Sequence, residues 1–347
     1  MAPRTPSTDA TVVPTRMQAI EQRSYGSTDV LQPAERAVPE IEATEVLVRV
    51  HAAGLDRGTW HVMTGTPLLA RLVLGLGRPK AEVPGLDLAG VVVAVGAEVT
   101  RFEVGDEVCG AGKGSFAEYT AAEQDKLVSK PSNVTFEQAA VVAISGMTAV
   151  QALADLREEG VGKRVLVLGA SGGVGTFAVQ IAKAFGAEVT GVCRGSKVEL
   201  VRSLGADHVL DHEQTDPTDP STVGDRPYDL ILDIGGHRKV SQMRRVLARR
   251  GTLVIVGSET GSRITGGIGR SARAAMLSPF VRQRLVMLVS KERHEDLEPL
   301  TTLIEAGEVT PCIDRVYPLA QVADAMRRLE SGEVQGKVAL VVRADAT

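Results

Sequence analysis

The chain has only three cysteines, and Cys109, Cys193 and Cys312 stand far apart. No Cys-x-x-Cys pair occurs, so neither a disulfide framework nor a structural zinc knot is encoded, and reduced thiols are expected. Aromatic residues make up only 3% of the chain, too few for a base-stacking platform. Neither sign of charge dominates: 39 basic against 43 acidic residues leave a net charge of −4, which provides no general footprint for nucleic acid. No window approaches the roughly 18 uninterrupted apolar residues of a membrane span. Residues 1–15 are rich in Pro, Thr and Ser and lack the apolar core of a secretory signal. They read as a disordered tail, and the protein as cytoplasmic.

What is abundant is glycine, 36 in 347 residues, on a 44% apolar background. That length suits two domains with separate cores. The most informative glycines follow the apolar run from Arg164. Gly169-Ala170-Ser171-Gly172-Gly173-Val174-Gly175 leads into a helical stretch and then a second strand, Glu188–Val192. A strand–turn–helix–strand unit of this size brings a tight glycine turn and free helix-start N–H groups to one place, where a pyrophosphate binds. A P-loop is excluded because no Lys-Ser/Thr pair follows the last glycine. Gly169-Ala170-Ser171-Gly172-Gly173 also fits a nucleophile elbow, with Asp233 and His237 as the downstream acid and base, and glycines serving only strand–helix packing are a third reading.

The second strand distinguishes the dinucleotides. An NAD site places an acid there for the ribose 2′-hydroxyl. Here the strand runs into Arg194, Ser196 and Lys197, with no carboxylate before Glu199. Those groups can donate to a 2′-phosphate, so NADPH is the expected cofactor.

The remaining chain sorts into two textures. Short strands at 17–21, 45–51, 84–95, 104–109 and 115–119, separated by glycine turns, predict an antiparallel β-rich unit. An apolar insertion, Leu68–Leu76, reads as a short helix beside a cleft. After Thr135, helices alternate with strand candidates at 165–168, 188–192, 208–210, 230–233, 253–256 and 285–289, which predicts an α/β, doubly wound parallel sheet. Two helices, Glu295–Glu305 and Leu319–Glu330, precede a last strand, Lys337–Val342, expected to return to the first sheet. The stretch Arg263–Arg284 is basic and interrupted by apolar residues; it reads as a solvated helix face or as a surface that steers an anionic substrate.

With Glu45–Gly54, Val83–Gly96, Gly105-Asp106-Glu107-Val108, Ser145–Ala149, the glycine turn and Gly336-Lys337-Val338 in view, the chain resembles the medium-chain dehydrogenase/reductase family. The resemblance implies a Rossmann domain inserted into a GroES-like catalytic domain, with boundaries at 16–138, 139–291 and 292–347. The family's zinc ligands are missing: Gly54-Leu55-Asp56 and Gly85-Leu86-Asp87 stand where zinc members carry a cysteine and a Gly-His-Glu. The closer resemblance is to zinc-free quinone oxidoreductase-like and enoyl reductase-like members. It implies Thr148 near the nicotinamide, Gly235 and Gly257 beneath the cofactor, and Lys337 on a phosphate. It also implies that Asp56 and His61 face the reacting ring, with His61 the candidate proton donor. The expected activity is reduction of a quinone or an α,β-unsaturated carbonyl by a homodimer that holds NADPH and no metal. An alcohol or aldehyde dehydrogenase and a non-catalytic NADPH-binding sensor are the alternatives.

Overall fold

The computed structural model describes residues 13–223, 226–257 and 264–343. Residues 1–12 of the expected tail, Arg263 of the basic stretch and residues 344–347 lie outside the described residues. Residues 13–15, counted in the tail, are held: Val13 packs on a buried cluster and the Thr15 carbonyl accepts from Val38 N at 3.1 Å.

The strands, in chain order, are β1 (Arg16–Glu21), β2 (Gln32–Ala37), β3 (Glu45–Leu55), β4 (Asp87–Val95), β5 (Glu107–Ala111), β6 (Tyr119–Glu123), β7 (Leu127–Ser129), β8 (Arg164–Leu168), β9 (Glu188–Cys193), β10 (His208–Asp211), β11 (Tyr228–Asp233), β12 (Leu247–Ile255), β13 (Arg284–Met287), β14 (Ile313–Pro318) and β15 (Lys337–Val341). They form a β1–β2 pair, a seven-stranded sheet and a six-stranded sheet.

The six-stranded sheet has the order β10-β9-β8-β11-β12-β13 and is parallel throughout. Its strand order reverses at β8, the strand that delivers the glycine turn, and a crevice opens at such a point. Alternation along β8 shows why both faces are covered. Val165 and Val167 join one buried cluster, whereas Leu166 and Leu168 join another, as a two-residue side-chain period requires. The helix Gly173–Ala184 covers the first face through Phe177 and Ile181, both fully buried; each such side chain contributes about 1.5–3 kcal/mol.

The seven-stranded sheet runs β14-β15-β3-β4-β5-β7, with β6 also pairing β3. It is antiparallel except for β14 and β15, which pair in parallel. The return of the last strand is as expected, since Val338 pairs with Leu55. The sequence misplaces one strand: the extended segment read at 115–119 forms only an isolated bridge, Ala19 to Ala117, and β6 begins at Tyr119. β2 and β14 are absent from the sequence reading because their residues, Gln-Pro-Ala-Glu-Arg-Ala and Ile-Asp-Arg-Val-Tyr-Pro, carry too little apolar alternation.

The helix His294–Glu305 joins the two units. Leu297, Leu300 and Ile304 share a buried cluster with Phe177 and Ile181. A Cβ on Gly146 would come within 2.4 Å of Leu300, so the absence of a side chain there permits this helix to approach Ala143–Ala152. The Leu68–Leu76 insertion forms a short 3-10 turn and one helical turn, with Leu72, Val73 and Leu76 exposed.

Candidate active site at the junction of the two sheets

Strand ends from both sheets converge on one cleft of about 490 Å³. The parallel sheet contributes the residues after β8, β9 and β11; the other contributes the end of β3 and the start of β15, with the start of β4 buried behind them. Register explains the second group. Pairing of Val338 with Leu55 sets Lys337 beside Asp56, and pairing of Ala53 with Leu88 sets Asp87 against Gly54. The units are also tied directly, because Gly336 N donates to the Ser171 carbonyl at 2.8 Å and Gly172 bridges Gly336.

The glycine turn is built for close approach. Gly169 has φ +91°, a left-handed conformation suited to glycine. Gly172 lines the cleft with room for a side chain, an added Cβ meeting only an ordinary contact at 3.6 Å, and it caps the helix whose first residues Gly173 and Val174 line the cleft. Ser171 lines it too, while Ala170 is fully buried. Gly175 serves packing: a Cβ there would sit 2.1 Å from the Gly169 carbonyl. An uncluttered backbone with unpaired helix-start N–H groups fits a pyrophosphate.

The elbow reading fails on geometry. Every residue with positive φ among the described residues is a glycine, so Ser171 lacks the strained turn of a nucleophile. Asp233 is spent on Arg270 and on Gly236 N at 3.0 Å.

At the end of β9, Arg194 is exposed and lines the cleft. Lys197 also lines it but is 7% exposed, and its Nζ donates to the Gly332 carbonyl at 2.9 Å and the Val334 carbonyl at 2.7 Å. Burial pushes its pKa down, and its ammonium fastens the 332–334 loop across the cleft. Ser196 is exposed and stands outside the cleft wall. Gly235 lines the cleft; Gly257, held by a long contact to the Asp233 carbonyl, does not.

Asp56 caps the helix Arg57–Thr64, its Oδ1 accepting from Thr59 N at 2.7 Å. Its Oδ2 is buried in the cleft wall with no hydrogen-bond partner. A buried carboxylate oxygen left unpaired is costly, so this oxygen is placed to accept from a ligand. His61 lies five residues further on, in the same helix, its Nδ1 2.6 Å from the Thr66 carbonyl, and is outside the cleft wall. Thr148 is likewise turned away, donating to the Ile144 carbonyl at 2.6 Å.

The structure adds two residues that the sequence did not single out, Asp87 and Ser145. Lys337 Nζ donates to Asp87 Oδ2 at 2.9 Å and to Ser145 Oγ at 3.1 Å, and Asp87 Oδ1 accepts from Ile144 N at 2.6 Å. Burial raises the Asp87 pKa to about 6; Asp56 adds to the rise, and Lys337 opposes it. The signal was available: an acid inside the apolar run Leu-Asp-Leu-Ala-Gly-Val-Val requires a cationic partner. Zinc does not fit these donors. Leu86 is a hydrocarbon, Cys109 is buried with its thiol pushed up to about 12, and no metal-sized group of three His, Cys, Asp or Glu occurs among the described residues.

Comparisons with known proteins agree with this architecture. Residues 42–132 match the alcohol dehydrogenase GroES-like domain, and residues 204–340 match a family described as zinc-binding dehydrogenase. The chain is 30% identical over 334 residues to a chloroplastic quinone-oxidoreductase homolog of Spinacia oleracea, covering 93% of this chain and 97% of that protein. It is 34% identical over 347 residues to a chloroplastic NADPH-dependent alkenal/one oxidoreductase of Arabidopsis thaliana, covering 94% and 80%. Among solved structures, the quinone oxidoreductase from Coxiella burnetii superposes with a TM-score of 0.81 at 26% identity, over 94% of this chain and 100% of that one. No described helix is long and apolar enough to cross a membrane. A GroES-like sheet, a parallel dinucleotide-type sheet and a glycine cradle between them, matched along nearly the whole length, place the chain in the medium-chain dehydrogenase/reductase family, in its quinone oxidoreductase-like branch.

Proposed function

We propose that the protein is an NADPH-dependent, zinc-independent reductase of quinones or α,β-unsaturated carbonyls. The observation that carries the reading is the pairing of an open glycine cradle with Arg194, rather than an acid, at the end of β9. The relatives named for quinone and alkenal/one reduction support the same substrate class.

NADPH supplies a hydride when bound. The chain's residues hold and orient it. Gly169–Val174 would hold the pyrophosphate at the helix start, and Arg194 would hold the adenosine 2′-phosphate. Gly235 would give backbone support at the end of β11, whereas Ser196 and Gly257 stand outside the cleft wall. Lys337, anchored by Asp87 and Ser145, presents positive charge beside Gly173. Asp56 Oδ2 accepts a hydrogen bond from the bound cofactor or substrate. His61 and Thr148 support the loop and helix that carry the site.

The proposed domains are 16–138, 139–291 and 292–347. A second copy is proposed to pair at the β13 edge, where Met287 and Val289 are 45% and 68% exposed, in the cytoplasm. Following NADPH absorbance against a panel of quinones, enones and aldehydes tests the reading. Oxidation with quinones or enones is expected; oxidation with none of them refutes it.

A further inference from the structure

A second cleft of about 570 Å³ adjoins the first and shares its wall at Gly236, His237 and Arg238. Its lining holds the cations Arg238, Lys239, Arg270 and Arg273 and, among the described residues, no carboxylate. Two acids approach from behind: Asp216 pairs with Arg238 at 2.6 Å, and Asp233 pairs with Arg270. Lys239 and Arg273 are exposed and have no ion-pair partner among the described residues. Arg270 adds a buried Nε–H with no hydrogen-bond partner there. Four cations against two acids leave an excess of positive charge in a concave site, an arrangement that concentrates anions.

Position says which anion. β11, which delivers Gly236–Arg238, lies on the opposite side of β8 from β9, which delivers Arg194. With the adenosine phosphate at Arg194, the second cleft falls at the reacting end of the cofactor. We propose that it is a subsite for an oxyanion carried by the substrate, so that the enzyme prefers enones or quinones whose far end bears a carboxylate or phosphate. This rests on the reductase reading above.

The test compares oct-1-en-3-one with 7-oxonon-8-enoic acid, its carboxylated counterpart, in the wild type and in the Lys239→Ala/Arg273→Ala variant. The wild type is expected to reduce the acid with kcat/KM roughly tenfold higher, a preference that fades with added salt. The variant is expected to lose that preference while reduction of oct-1-en-3-one and affinity for NADPH change by less than about twofold. Calorimetric titration with the saturated 7-oxononanoic acid, and with 7-oxononyl phosphate, reads the subsite without turnover. If both enones are reduced equally well, or the variant loses NADPH affinity, the subsite is refuted and the reductase reading survives. If neither enone is reduced but the saturated anions bind the wild type and not the variant, the subsite stands and the reductase reading falls. Absence of both preference and binding overturns the proposal.

Discussion

Lys337 and Asp87 lie 250 residues apart in the chain and 2.9 Å apart in space, with side chains 2% and 0% exposed. A buried pair of this kind is costly to break because the remaining charge has no compensation. Lys337→Met is therefore expected to lower stability by about 3–5 kcal/mol. The Asp87→Asn/Lys337→Met double variant is expected to recover most of that loss, since it removes both charges and keeps an acceptor for Ile144 N. Urea midpoints of the single and double variants measure the difference; equal losses would remove the pair from the account of the fold.

The same carboxyl gives a pH dependence. Its folded pKa, about 6, lies above its unfolded value, chiefly through burial. The folded state then holds this proton more tightly than the unfolded state, so its contribution to stability falls as pH rises. Stability of the wild type relative to Asp87→Asn is expected to decline between about pH 4 and pH 6 and to level off above. Denaturant titrations across that window check the slope, and a rising difference would reverse the assignment.

Two glycines of one turn separate fold from binding. Gly172→Ala meets only an ordinary 3.6 Å contact and is expected to leave the thermal midpoint nearly unchanged while weakening NADPH at least tenfold, because its methyl would project into the cleft. Gly175→Ala forces a 2.1 Å contact with the Gly169 carbonyl and is expected to destabilise the protein outright. Fluorescence titration with NADPH beside thermal melts distinguishes the two.

Arg194→Ala is expected to reduce the preference for NADPH over NADH by roughly tenfold or more, through loss of a charge-assisted contact to the 2′-phosphate. Lys197→Met is expected to act on stability as well, since it frees the Gly332 and Val334 carbonyls. An unchanged cofactor ratio in Arg194→Ala would move the phosphate site elsewhere.

Asp56→Asn preserves the helix cap, because asparagine caps as well as aspartate, but places an amide group at one of the two oxygens. It is expected to raise the KM for NADPH or for the enone several-fold with little change in melting. His61→Asn is expected to change kcat by less than about threefold, since the imidazole is engaged with the Thr66 carbonyl outside the cleft. A large fall in kcat at pH-independent KM for His61→Asn would restore it as the proton donor.

The fold was legible where periodicity is strong. The six parallel strands were placed from apolar runs bounded by glycines, and each observed strand overlaps its expected segment. Strands such as β14 were not, because Asp314 and Arg315 mask the alternation and the strand is fixed by its parallel partner β15. At the site, the glycine turn and Arg194 stand at the cleft, and their position follows from local features: a turn, a helix start and a strand end. His61 and Thr148 were named by analogy of position, and the structure turns both away from the cleft wall.

What the sequence by itself determined is the glycine turn, the helix start behind it and the basic end of the next strand, since all three are set within one βαβ unit. What only the tertiary structure decided is the other wall. Asp56, Asp87 and Lys337 meet because three strands of one sheet are paired in a particular register, and the helix Ala143–Ala152 brings Ser145 to Lys337. Arg194 and Lys197, both in the cleft wall, also part company: the first is exposed, and the second is buried with its ammonium on the Gly332 and Val334 carbonyls. Contacts across such separations depend on how sheets pack and pair, and neither composition nor spacing along the chain carries that information.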